Sequence, residues 1–179
     1  MKNTIQSIEE LNEWHSVDDP WDYHSNPEDR KRKEILLTEI PALAYKNVLD
    51  IGCGQGFITT ALPGEKVTGI DISAEAIKRA QTHQRPGLQF QQGDIFKLSE
   101  LAAEEKHDLI IITGVLYPQY IGYSNNLIYH IIDQILKEKG ILITVHIDEW
   151  YHSRFPYLMV AEYAYQYQAY CHRLEVYSK

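Results

Sequence analysis

Between residues 47 and 146, short apolar runs rich in β-branched side chains alternate with stretches whose apolar positions recur at helical spacing. The runs at 47–51, 66–70, 88–91, 109–113 and 140–146 predict strands. The stretches at 57–62, 74–82, 98–104 and 125–137 predict the helices between them. The first and fourth strands are almost wholly apolar, as central strands covered on both faces must be. From 162 to 178 aromatic and polar residues alternate, which predicts an antiparallel pair closing the sheet. The expected fold is α/β, a doubly wound sheet, mostly parallel with an antiparallel C-terminal strand pair and helices on both faces.

The first 46 residues follow a different pattern. A short helix at 5–15 leads into a turn-rich segment at 16–27, and a basic helix at 28–40 stops at Pro41. The expected organisation is one domain over residues 1–179, with 1–46 as a helical cap on a core of 47–179.

Composition narrows the function. The 179 residues are 44% apolar and 23% charged, enough for one core without disulfide or metal staples. A net charge of −8 opposes a broad electrostatic grip on nucleic acid, so no such partner is expected. Cys53 and Cys171 fall in no zinc-type spacing, and a reducing compartment is the better reading. The polar, acidic start lacks the basic and apolar regions of a signal peptide, and no run approaches a bilayer span. The chain therefore reads as cytoplasmic, without a membrane partner, and as a monomer or homodimer.

The chemistry concentrates at three predicted strand ends. After Val48 and Leu49, Asp50-Ile51-Gly52-Cys53-Gly54-Gln55-Gly56 carries a strand into a loop with glycine at every second position. Such a loop turns sharply and lets a ligand approach the backbone, with N–H groups free at the following helix, although a tight turn without ligand reads the same way. A dinucleotide fingerprint would need glycine where Phe57 stands, and Asp50 would repel a pyrophosphate while welcoming an ammonium group. Asp71 ends the next strand and can accept hydrogen bonds from the vicinal hydroxyls of a ribose, or else cap the following helix, where Ser73 also qualifies. Asp94 follows the third strand, suited either to an exocyclic amino group or to a turn, with Ile72 and Ile95 placed to sandwich a purine. Three acids at successive strand ends point to one rim.

In this order the motifs VLDIGCGQG (48–56), GIDIS (69–73), QGDIF (92–96), DLIIITGVLYP (108–118) and LKEKGILITVH (136–146) resemble the class I S-adenosylmethionine-dependent methyltransferases. The resemblance implies a Rossmann-like core with S-adenosylmethionine as cofactor. It would place Asp50, Gly52, Cys53 and Gly54 at the methionine part, Asp71 at the ribose and Ile72 beside the adenine. Asp94 and Ile95 would meet the adenine, and Thr113 and Gly114 the methionyl side. The segment Asp19-Pro20-Trp21-Asp22-Tyr23 and the basic helix after it resemble small-molecule methyltransferases of the nodulation N-methyltransferase group. By that likeness Trp21, Tyr23 and Arg32 would close the pocket, the arginine meeting the methionine carboxylate. Thr113 to Pro118 departs from the Asn/Asp-Pro-Pro-Tyr/Phe pattern of base N-methyltransferases, so the acceptor expected is a small molecule methylated on O or N.

Transfer to such an acceptor needs alignment and a place for its proton. His146, at the end of the fifth predicted strand, is the expected general base, since a histidine titrates near neutrality. His146, Asp148 and His152 also have ligand chemistry, but they straddle a strand end and no metal is expected. Tyrosines cluster after residue 116, including Tyr117, Tyr120 and Tyr123, and offer stacking surfaces for a sugar-like or aromatic acceptor. The alternative function is a cofactor-binding or scaffold protein that retains the fold without catalysis.

Overall fold

Isoleucine and valine crowd the strands because branched side chains pack well on a pleated surface, and here they fill both faces. The computed structural model describes residues 5–23, 25–83, 85–101 and 105–179. Seven strands, β1 (Asn47–Ile51), β2 (Lys66–Asp71), β3 (Leu88–Gln92), β4 (His107–Thr113), β5 (Leu136–Ile147), β6 (Leu158–Tyr167) and β7 (Tyr170–Ser178), form one sheet in the order β3-β2-β1-β4-β5-β7-β6. Strands β1 to β5 pair in parallel, while β7 lies antiparallel between β5 and β6. This is the expected Rossmann-like, doubly wound arrangement. β1 and β4 are neighbours, so the chain reverses its direction of winding between them and opens a crevice at their carboxyl ends.

Six helical segments accompany the sheet: α1 (Ile8–Trp14), α2 (Pro27–Glu39), α3 (Ala74–Ala80), α4 (Leu98–Leu101), α5 (Pro118–Ile121) and α6 (Asn125–Ile135). One core face joins Leu49, Ile51, Ile110 and Ile112 to Ile128, Ile131 and Ile135 of α6. The opposite face joins Val48, Val67, Ile111, Ile143 and Val176 to Leu36 of α2. Both faces are dry, as the apolar runs require.

Several boundaries differ from the sequence reading. The helix expected at 57–62 is a single 3₁₀ turn, Thr59–Ala61. The Thr59 hydroxyl turns inward to donate to Asp50 (2.6 Å), and Pro63 prevents continuation. No long helix N-terminus therefore stands behind the glycine loop. The helix expected to reach 137 ends at Ile135, because Leu136 pairs with His107 and β5 begins there, with Lys139 in the left-handed region. Of the helix expected at 98–104, residues 102–104 lie outside the described residues. The turn of α5, begun by Pro118, was not anticipated. α1 is fixed at its start by a reciprocal cap, Glu10 N–H donating to Ser7 Oγ (3.2 Å) and Ser7 N–H to Glu10 Oε2 (2.9 Å). Among the described residues no helix is long and apolar enough to cross a membrane.

Candidate functional site

The carboxyl ends of β1 to β5 open into one cavity of about 740 Å³, roofed by α1 and by Trp21, Tyr23 and Arg32. The glycine loop forms its floor. Gly52 takes φ +75°, and a Cβ there would lie 2.1 Å from Cγ2 of Val115, so only glycine lets the loop pass the tip of β4. Its N–H and that of Cys53 both donate to the Ile70 carbonyl (2.8 and 2.9 Å), tying the loop to β2.

The three acids meet here. Asp50 is buried, accepts from Thr59 through Oδ2 and leaves Oδ1 without a partner. Burial pushes its carboxyl up to about 6, against the pull of the Thr59 hydrogen bond. Asp71 accepts from Gly54 N–H through Oδ2 and from Ser73 N–H through Oδ1, each at 2.9 Å. Helix α3 is capped by Ser73 itself, which accepts from Ala76 N–H (3.2 Å). Asp94 accepts from Phe96 N–H (3.0 Å), so it makes the turn and lines the cavity as well.

One cation faces these acids. Arg32 is buried and paired with Asp29 (3.0 Å), and its guanidinium carbon lies 5.3 Å from the centroid of the Tyr23 ring. Its Nε has no hydrogen-bond partner. A buried guanidinium with an idle donor, across from a buried carboxylate with an idle acceptor, fits a zwitterion carrying both a carboxylate and an ammonium. Trp21, Cys53, Ile72, Ile95, Thr113 and Gly114 complete the lining named in advance.

His146 differs from expectation. The strand register turns Val145 and Ile147 to the cavity, and His146 does not line it. Its ring is 1% exposed, packs edge-on against Tyr151 and accepts a hydrogen bond from Arg173 Nε (3.1 Å) through Nε2. Burial, then the nearby Arg173, lowers it to about 3. With that lone pair engaged, it cannot serve as the base. Asp148 likewise bonds Arg173, and among the described residues no group of three or more His, Cys, Asp or Glu gathers to hold a metal.

This burial has a pH consequence. A histidine near 6.5 when unfolded and about 3 when folded contributes stability that is full above the unfolded value and is lost as pH falls from there towards 3. Between pH 7 and pH 5, wild type is expected to lose about 2 kcal/mol more unfolding free energy than His146→Gln. Urea titrations at both values measure this, and parallel curves would refute it.

Other lining residues were missed. Ile8, Leu11 and His15 present one face of α1, at the helical spacing that signals a covered stripe. His15 is buried, and its desolvation holds the imidazole below its usual value despite the nearby charge of Asp71. On the far side Tyr167 and Tyr170, part of the tyrosine cluster after residue 116, arrive from β6 and β7 with Trp150 and His172, which no local motif marked.

The Methyltransferase domain model matches residues 44–176. The chain belongs to this methyltransferase domain family. Nodulation protein S of Rhizobium tropici is 31% identical over 122 residues, 66% of this chain and 50% of that protein. Trans-aconitate 2-methyltransferase of Deinococcus radiodurans is 43% identical over 68 residues, 36% of this chain and 26% of that protein. The methyltransferase chain thus spans half or less of these two relatives. Among solved structures, N-methyltransferase NodS from Bradyrhizobium japonicum WM9, in complex with S-adenosyl-l-homocysteine, superposes with a TM-score of 0.78 at 25% identity, covering 99% of both chains. The likeness extends through the N-terminal helices as well as the sheet.

Proposed function

We propose that this methyltransferase domain binds S-adenosylmethionine and transfers its methyl group to an oxygen or nitrogen of a small molecule. The observation that carries this is the cavity itself, where Asp50, Asp71, Asp94 and the Arg32 guanidinium converge around the glycine loop. The S-adenosyl-l-homocysteine in the similar NodS structure supports the same ligand class.

When bound, S-adenosylmethionine supplies both the electrophilic methyl and its leaving group. The protein's task is to hold and align. Asp50 Oδ1 and the loop backbone at Gly52 and Gly54 suit the ammonium, with Cys53 packed behind, and Arg32 Nε suits the carboxylate. Each oxygen of Asp71 keeps a lone pair for a ribose hydroxyl beyond its backbone bond. Ile72 and Ile95 offer apolar faces for the adenine, and Asp94 an acceptor for its amino group. Thr113 and Gly114 stand on the methionyl side. Trp21 and Tyr23 cover the site, with Tyr23 stacked on Phe57 at 4.7 Å.

Calorimetric titration with S-adenosylmethionine and with S-adenosylhomocysteine tests the reading. Saturable one-to-one binding of both is expected, and no heat at millimolar ligand would overturn it.

A further inference from the structure

The charged side chains that line the cavity among the described residues are Arg32, Asp50, Asp71 and Asp94, and the proposed cofactor engages all of them. Past the tip of β5 the lining changes character. Trp150 stands edge-on to Tyr117 (5.3 Å) and to Tyr170 (5.1 Å), forming an aromatic corner with no ionised group. A polycarboxylate or a protonated amine would find no counter-ion in that corner.

His172 lies beside it. The residue is 5% exposed and lines the cavity. Its ring is stacked on Tyr167 at 4.0 Å and 9° and edge-on to Tyr165 at 5.7 Å. Nδ1 is buried without a partner. Burial and the Arg32 charge keep the imidazole neutral, so it retains a lone pair. An oriented imidazole with an idle buried nitrogen suits a ligand that donates to it.

Resting on the methyl transfer proposed above, we propose that the acceptor is an uncharged, planar aromatic hydroxyl compound. It packs against Trp150 and Tyr170 and donates its O–H to a neutral His172, which orients the oxygen. In the transfer a C–O bond forms as the C–S bond breaks, and the electron pair of that bond passes to sulfur. The hydroxyl proton is released to water as the C–O bond forms. No further reactant is required.

The test uses wild type and His172→Phe, which keeps an aromatic ring against Tyr167 but removes the nitrogens. Calorimetry with S-adenosylmethionine comes first, and if it fails the methyl-transfer reading falls with this one. With binding established, tritiated methyl is offered to 1-naphthol, catechol, tricarballylate and glucosamine. Label is expected in the two phenols and absent from the tricarboxylate and the amino sugar. His172→Phe is expected to bind the cofactor as wild type does and to lose about 10-fold in kcat/KM for 1-naphthol. Quenching of tryptophan fluorescence by 1-naphthol in the wild-type S-adenosylhomocysteine complex gives a readout independent of the variant. Cofactor binding without labelled phenols, label in tricarballylate or glucosamine instead, no quenching, or unchanged kcat/KM in His172→Phe would each overturn the proposal.

Discussion

Glu175→Ala is expected to lower the unfolding free energy by about 3 kcal/mol, the cost of removing the fully buried member of an ion-pair network. Glu175 is wholly buried in β7, opposite Thr144 of β5. It accepts from the Thr144 hydroxyl (2.9 Å) and pairs with Arg173 (3.1 Å) and Arg154. Arg173 is itself buried and continues to His146, Asp148 and the Tyr151 carbonyl. Alanine would take from that guanidinium its fully buried carboxylate, leaving Asp148 as its partner, and would open a hole between β5 and β7. None of Glu175, Arg173 or His146 lines the cavity, so cofactor affinity measured well below the melting temperature should not change. Denaturant unfolding with parallel calorimetry checks both halves. A loss under 1 kcal/mol would mean that Asp148 alone is enough to hold Arg173.

Asp71→Ala is expected to weaken S-adenosylmethionine binding by about 2 kcal/mol, or roughly 30-fold in Kd, through lost charge-assisted hydrogen bonds. The carboxylate does two jobs at once. It pins the loop through Gly54 N–H and the start of α3 through Ser73 N–H, and it presents acceptors to the cavity. Removing it loosens the cradle as well as the ribose site. Asp71→Asn, which keeps one acceptor oxygen, should fall between the two. Calorimetry decides, and unchanged affinity in Asp71→Ala would show that the ribose lies elsewhere.

The cofactor side of the cavity was legible because each of its groups follows a strand end. A buried strand announces itself by composition, and glycine or an acid directly after it marks the rim. That logic put Asp50, Gly52, Asp71 and Asp94 on one rim, and all four line the cavity, whereas Thr113 followed only from the family resemblance. It failed at His146, where one step of register decides between cavity and core. Residue 146 ends the expected strand, but Arg173 on the neighbouring strand claims its lone pair. It failed also at 57–62, where the pull of Thr59 towards Asp50 outweighed helical spacing.

Local order along the chain, then, settled the strands, their parallel pairing, the glycine turn and the identity of the acids, because burial pattern and turn chemistry act between near neighbours. The position of β7 between β5 and β6, the roof made by α1 and the aromatic corner around His172 depended on tertiary structure. These bring together residues more than a hundred positions apart, such as Tyr167, which donates to Asp29 at 2.9 Å. Contacts of that kind leave no periodic trace in the sequence, since what selects them is the packing of whole elements against one another.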